Sequence, residues 1–309
     1  MRRILVATHG RSTADGALRV ARALAARTGA TLGVVTVLPP LPTYEAPRSS
    51  AFLWHPELRR ACEEDLLTRV RAQIDRTADD AAQPLNAALL SGHPARAIAQ
   101  EAERRQANLV VLGIGKYAPA DRVFGGEVAL EVARWCPVPV LAVAPGTTTL
   151  PHRAVAATDF SRSSISAART ALELLDPDGQ LSLVHVCPDV DLPPQALDEW
   201  RTHYCRIANA FLARAAHDAG ADGGDHVELL QLTGDPAREI LAFANRIGAD
   251  LIATGSHGYH VVERILIGSV AAKLVRASHC SVLLAPSSAT AVERDMAWRA
   301  DRVMLPGVP

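Results

Sequence analysis

The sequence has no excess of charge of either sign: 32 Lys and Arg stand against 33 Asp and Glu, for a formal net charge of −1. A basic footprint for nucleic acid is therefore missing, and no long run of Lys or Arg offers a surface that tracks phosphates. Aromatic residues are scarce, at 4 %, yet 49 % of the chain is hydrophobic, which is enough for two cores. Nowhere do about 18 apolar residues run together, so no transmembrane helix is expected. The opening Met-Arg-Arg-Ile-Leu-Val-Ala-Thr has a short apolar run that ends at His9-Gly10. It reads as a strand rather than a signal peptide. The five cysteines (Cys62, Cys136, Cys187, Cys205, Cys280) are scattered, odd in number and without C-x2-C spacing. That argues against a disulfide framework or a zinc knuckle and for buried, reduced thiols in a cytoplasmic protein. At 309 residues the chain is long for one compact domain and suits two of roughly 150 each.

What is present is an internal repeat. Gly92-His-Pro-Ala-Arg96-Ala-Ile98 matches Gly234-Asp-Pro-Ala-Arg238-Glu-Ile240 at an offset of 142 (234 minus 92). Ten of the 22 positions from Gly92 to Gly113 are identical to those from Gly234 to Gly255. Arg3-Ile-Leu-Val-Ala-Thr8 aligns with Arg153-Ala-Val-Ala-Ala-Thr158 at an offset of 150 (153 minus 3). A duplicated unit with one insertion, Pro39 to Pro56, in its first copy explains both offsets. The insertion carries several prolines with Tyr44, Phe52 and Trp54, as a packed loop or a contact surface would. The expected domains are 1–148 and 149–288, followed by a tail, 289–309.

In each copy, short apolar runs alternate with stretches of helical period. Copy one has strands at Ile4–Thr8, Thr31–Leu38, Leu85–Leu90, Leu109–Gly113 and Val138–Val143. Copy two has them at Val155–Thr158, Leu181–Cys187, His226–Leu232, Leu251–Gly255 and Val282–Ala285. Amphipathic helices are expected at Ser12–Thr28, Glu57–Ala82, Ser161–Leu175 and Gln195–Ala219. The fold class is thus α/β: two tandem Rossmann-like domains, each a five-stranded parallel sheet with helices on both faces. Ligands in such sheets settle beyond the carboxyl ends of the strands where strand order reverses. In copy two the loops there are Thr158-Asp159-Phe160-Ser161 and the glycine loop after the fourth strand.

That glycine loop is the sharpest motif. Gly255-Ser-His-Gly258, nine residues, then Gly268-Ser269 stands between an apolar strand and a helical pattern. Gly255 lets a ligand approach the backbone, and the helix start offers free N–H groups and partial positive charge to a phosphate chain. On the residues alone, tight turns with Ser269 as a helix cap explain the same pattern. Asp159 suits either a ligand contact or an organised turn. His257 and His260 suit phosphate or metal contact or plain exposure, and Arg264 a phosphate contact or a solvated helix face.

Asp159-Phe-Ser-Arg-Ser163, Val184-His-Val186 and Gly255-x2-Gly258-x9-Gly268-Ser269 make the chain resemble a tandem member of the universal stress protein family, over roughly residues 1–287. The family's adenine nucleotide alpha hydrolase-like fold agrees with the α/β reading. The resemblance implies ATP as ligand, with or without Mg2+. It implies a cofactor-binding set of Thr158, Asp159, Val186, Gly255, His257, Gly258, Gly268, Ser269 and Val270, with no catalytic and no metal-ligating residue. It also implies that the copies pair within the chain through their last strands, Val138–Val143 against Val282–Ala285, with a homodimer as a further option.

Copy one breaks the motif. Gly113-Ile-Gly-Lys116 is followed after nine residues by Gly126-Glu127, so Lys116 replaces the second glycine and Glu127 the serine. His9 stands where copy two has Asp159. A carboxylate at the helix start competes for the N–H groups and repels phosphate. Copy one is expected to be structural, with Lys116 and Glu127 paired internally, or to hold a less anionic ligand. The expected function is a nucleotide-binding regulatory protein of the stress response, with at most slow ATP hydrolysis. The alternatives are a weak ATPase or nucleotidyl-transferring enzyme, or an interaction scaffold without nucleotide; neither nucleic acid nor membrane is an expected partner.

Overall fold

The structure, a computed structural model, describes residues 1–39, 56–78, 84–114, 125–221, 226–256 and 267–286. The Pro39–Pro56 insertion lies almost wholly outside these residues, and the 289–309 tail entirely so. The first half runs β1 (Arg3–Ala7), a 3-10 turn (Ser12–Ala14), α1 (Asp15–Thr28), β2 (Thr31–Leu38), α2 (Pro56–Arg76), β3 (Ala87–Ser91), α3 (Pro94–Arg104), β4 (Leu109–Gly113), α4 (Gly125–Trp135) and β5 (Val140–Val143). The second half repeats the series with β6 (Arg153–Ala157), α5 (Arg162–Leu174), β7 (Gln180–Cys187), α6 (Pro194–Ala219), β8 (Val227–Thr233), α7 (Pro236–Ile247), β9 (Leu251–Gly255), α8 (Ser269–Ala277) and β10 (Ser281–Ala285).

Each half is a parallel sheet, ordered β3-β2-β1-β4-β5 and β8-β7-β6-β9-β10. The central strands are apolar along their whole length because helices cover both faces; β4 and β9, for example, are buried at every residue but the last. Pairing trims the expected strand ends. β3 starts at Ala87 rather than Leu85 because its ladder with β2 runs from Val34–Ala87 to Leu38–Ser91. The long helical pattern after the insertion stops at Arg76, where the Thr77 hydroxyl turns back to the Gln73 carbonyl at 2.8 Å. The Ser12–Thr28 pattern divides into the 3-10 turn and α1.

The two sheets are one. β5 and β10 hydrogen-bond antiparallel, with Leu141 opposite Leu283, Ala142 opposite Val282 and Val140 opposite Leu284. Leu141 and Leu283 are repeat equivalents (283 minus 141 is 142), so a local pseudo-two-fold axis passes through this pair. The result is a continuous ten-stranded sheet. On one face, α1, α2, α5 and α6 share a single core that crosses the seam, from Val70 and Leu24 to Leu174 and Leu212. Arg27 of α1 donates across the seam to the carbonyls of Glu173 and Leu175. On the other face α4 and α8 meet: Ala129, Ala133, Ala271 and Val275 lie in one cluster above β5 and β10. Leu274 of α8 turns instead into the core of the second half.

Leu283 is fully buried at this seam. Leu283→Ala is expected to lower unfolding free energy by about 2–5 kcal/mol, as large-to-small core changes do. Urea denaturation measures it, and a loss below about 1 kcal/mol would mean that the seam is not packed as described.

Candidate functional site

Strand order reverses between β6 and β9, and a cavity of 570 Å³ opens beyond their carboxyl ends. Thr158, Asp159, Val186, Gly255, Gly268, Ser269 and Val270 all line it. Seven of the nine residues proposed from sequence are thus brought together from four separate segments. The other two, His257 and Gly258, lie outside the described residues, as do His260, Arg264 and Lys116.

The loop after β6 is held by its own side chains. Thr158 Oγ1 accepts from the Phe160 N–H at 2.9 Å, and Asp159 Oδ1 accepts from the Ser161 N–H at 3.0 Å. Asp159 therefore organises the turn while lining the cavity, so the two sequence readings describe one geometry. Ser161 caps α5 by accepting from the Ser164 N–H at 3.3 Å. Phe160 sits at φ +64°, in the left-handed region that a bulky residue rarely adopts. This backbone turns its ring toward β7, 4.3 Å from the His185 ring and 5.4 Å from Phe211.

His185 anchors that aromatic wall. Its Nδ1 faces the Thr158 carbonyl at 2.9 Å, which only accepts, so Nδ1 carries the proton. Nε2 of the neutral ring then accepts from the Tyr204 hydroxyl at 2.8 Å. Burial pushes the His185 pKa down, against smaller opposing effects of the Thr158 carbonyl and the Asp159 charge, and so favours this neutral form. Phe160, His185, Tyr204 and Phe211 were not among the residues chosen from sequence. A signal existed: Trp200, Tyr204 and Phe211 recur on one helical face in a chain with only five Phe, four Tyr and four Trp.

At the opposite wall, Gly268 caps α8. Its own N–H donates to the Ser256 carbonyl at 2.8 Å and so closes the base of the glycine loop. Gly268 therefore lines the cavity with its amide already engaged. The amides that follow it, at Ser269, Val270 and Ala271, lie at the cavity, and no side chain caps them. Gly255 also has a different reason from the one expected. A Cβ there would stand 2.4 Å from Ser163 Oγ and 3.0 Å from the Ser164 nitrogen, so the first turn of α5 already fills that space. Glycine is required at 255 by strand–helix packing, while its backbone lines the cavity.

In the first half α2 packs on the loop after β1. Gly10 occupies the place of Phe160 and has a similar backbone, φ +82°. A Cβ at Gly10 would lie 2.7 Å from the Arg69 backbone, so α2 rests directly on the loop. A buried network ties it there. Gln73 bridges Thr8 at 2.6 Å and Asp15 at 3.0 Å, and Arg76 meets Asp15 with two bonds of 2.8 and 2.9 Å. His9, in the place of Asp159, is pushed down to about 4 by burial and by the charges of Arg11 and Arg69. It stays neutral and cannot supply the charge of an aspartate.

The helix starts differ as well. Glu127 of α4, expected to pair with Lys116, pairs with Arg276 of α8 across the seam, at 2.8 Å. One turn on, Glu131 faces His93 at 3.9 Å in the first half, whereas Lys273 faces Asp235 at 3.5 Å in the second. At repeat-equivalent positions the carboxylate has changed place, from α4 in the first half to Asp235 before α7 in the second. The helix beside the cavity thus carries Ser269 and Lys273 where its twin carries two glutamates, a field that favours an anion only in the second half.

A sequence profile of the universal stress protein family matches residues 1–144 and again 151–286. A universal stress protein of Methanocaldococcus jannaschii is 32 % identical over 131 residues, covering 41 % of this chain and 77 % of its own. The crystal structure of a universal stress protein from Archaeoglobus fulgidus is similar over 93 % of this chain and 97 % of its own, with a TM-score of 0.61 and 20 % identity. A universal stress protein crystallised with cAMP is similar over 45 % of this chain and 99 % of its own, at 26 % identity and a TM-score of 0.34.

Two outcomes follow from the geometry. Gly255→Ala is expected to cost roughly 1–3 kcal/mol by overpacking, and Ser163→Gly in the same chain to recover part of it, as read by urea denaturation. No recovery would mean that Ser163 is not the obstacle. For His9, the unfolded chain takes up a proton below its ordinary pKa of 6.5, while the folded chain resists until about 4. Its contribution is therefore present above pH 6.5 and lost as pH falls toward 4. The stability of His9→Asn should fall less steeply across that window than that of the wild type; parallel curves would remove His9 from the account.

Proposed function

The chain belongs to the universal stress protein family, and from that premise we propose that its second half binds an adenine nucleotide, ATP in the first instance, and that the first half is a structural partner. The observation that carries this reading is the contrast between two equivalent crevices. One is open at 570 Å³ and ends on the uncapped start of α8. In the other, α2 packs on Gly10 and Glu127 stands in the first turn of the helix, at the place of Ser269.

The cavity suits both ends of such a ligand. Its lining is largely apolar on the side of Val184, Val186 and Ile240, as a base requires, and polar at Thr158, Asp159 and Ser269. The amides of Ser269, Val270 and Ala271 would receive phosphate oxygens, with the dipole of α8 behind them. When bound, a nucleotide supplies the charge that α8 answers. Mg2+, if it accompanies ATP, would be held mainly by phosphate, because no group of three metal-capable side chains occurs among the described residues.

We assign no catalytic step. The three titratable cavity residues are already engaged, Asp159 in its turn, and His185 between Thr158 and the Tyr204 hydroxyl. A sensing role in the stress response, with nucleotide occupancy as the signal, fits this better than turnover does. No described helix is long and apolar enough to cross a membrane, and we propose a cytoplasmic protein. The β5–β10 seam would serve as the pairing surface of the two copies, with a homodimer as further assembly.

Isothermal titration with ATP, in Mg2+ and in EDTA, tests the reading. The wild type should bind one equivalent per chain, and Ser269→Glu, which installs the first half's residue, should lose at least tenfold in affinity, about 1.4 kcal/mol. Two equivalents per chain would contradict a structural first half; absence of binding by the wild type would sink the nucleotide assignment itself.

A further inference from the structure

The pseudo-two-fold of the seam relates each contact between α4 and α8 to a second one with the halves exchanged. Leu141 and Leu283 face each other on the pseudo-two-fold axis, so a contact made by one half has a counterpart with the roles exchanged. Arg276 of α8 reaches Glu127 at the start of α4 at 2.8 Å. The repeat equivalents are Arg134 for Arg276 and Ser269 for Glu127 (276 minus 134 and 269 minus 127 are both 142). The same operation exchanges Gly126, whose Cβ position lies 3.5 Å from Val275, with Gly268, and Val275 with Ala133. By that operation Arg134, next to Ala133 in the last turn of α4, corresponds to an arginine facing the start of α8.

In the first of these two places the arginine finds a carboxylate. In the second the carboxylate is replaced by a serine; among the described residues Arg134 enters no hydrogen bond or ion pair, and its Nε is buried without a partner. A buried guanidinium N–H left unpaired costs free energy. Its neighbours are already engaged elsewhere, Glu131 with His93 at 3.9 Å and Trp135 under the Arg96 guanidinium at 4.9 Å. The missing negative charge falls at Ser269, where the amides of α8 open on the cavity.

We propose that Arg134 completes the anion site of the second half from the first, its guanidinium binding the phosphate chain of the ligand in the position that Glu127 fills for Arg276. This rests on the nucleotide reading and extends it: the first half, a structural partner there, supplies the cation for its twin. The class of ligand is accordingly one with a polyphosphate end, because a guanidinium beside free amides favours a multiply charged oxyanion over an uncharged nucleoside.

Titrations of the full chain with ATP and with adenosine test it, on the wild type, Arg134→Ala, Arg134→Lys and Arg276→Ala, with circular dichroism and urea midpoints as a check on folding. Arg134→Ala should weaken ATP about tenfold or more, the worth of a charged hydrogen bond, and leave adenosine within about twofold. Arg134→Lys should fall between, and Arg276→Ala, which breaks the symmetric Glu127 pair, should leave ATP affinity unchanged. Equal ATP affinity in wild type and Arg134→Ala would overturn the proposal while leaving the nucleotide site intact. Equal losses in Arg134→Ala and Arg276→Ala would also overturn it, by tracing the effect to the helix pair. A wild type that binds no ATP would remove this proposal together with the site reading.

Discussion

The antiparallel pairing of β5 with β10 is the constraint on which the other features of this chain rest. Without it each half would end in an apolar strand with an open ladder, the kind of edge that proteins cover or blunt. With it, Val140–Ala142 and Val282–Leu284 satisfy each other's backbone, and both are buried to 2 % or less. The pairing also decides which helices meet. It sets α4 against α8 over the seam and merges the cores of α1, α2, α5 and α6 on the other face. The helix beside the second half's cavity is therefore packed on the first half's equivalent helix, with Ala133 and Val275 in one cluster.

Within that frame, identical topology produces two different crevices through very few residues. The loop after the first strand of each half needs one residue in the left-handed region. In the first half that residue is Gly10, and the lack of a side chain lets α2 descend until its backbone touches the loop. In the second half it is Phe160, whose ring packs at a tilt against His185 and against Phe211 of α6. Thr8, Asp15, Gln73 and Arg76 then lock the first half's loop to α2 with buried, mutually satisfied bonds. Polar networks of this kind are costly when half made and rigid when complete. The open crevice instead leaves the start of α8 uncapped, which is an unfavourable arrangement for a helix unless an anion satisfies it.

Charge follows the same division. The first half carries Glu127 and Glu131 on the helix that the second half marks with Ser269 and Lys273. Net charge over the whole chain is close to zero, so composition conceals this asymmetry; only the repeat alignment exposes it. The swapped pairs, Glu131 with His93 and Lys273 with Asp235, keep a similar α3–α4 and α7–α8 tie in both halves while reversing the field at the helix start.

The repeat, the strand–helix alternation and the glycine spacing determined the fold class, the ten strands and the contrast between the two helix starts, because each rests on local pattern or on comparison of the chain with itself. Seven of the nine chosen residues meet at one cavity because ligand loops follow strand ends, and strand ends are legible as the limits of apolar runs. Tertiary structure decided what depends on approach between distant segments. A side chain at Gly255 would meet Ser163; the Gly268 amide is engaged by Ser256; Glu127 reaches Arg276, 149 residues away in the chain. The aromatic wall behind Asp159 needed α6 placed over β7 before Tyr204 could meet His185. The physical reason is common to all of them. Periodicity and motif record how a segment satisfies its own backbone and faces, whereas the partner of a side chain is set by packing between elements that no local pattern encodes.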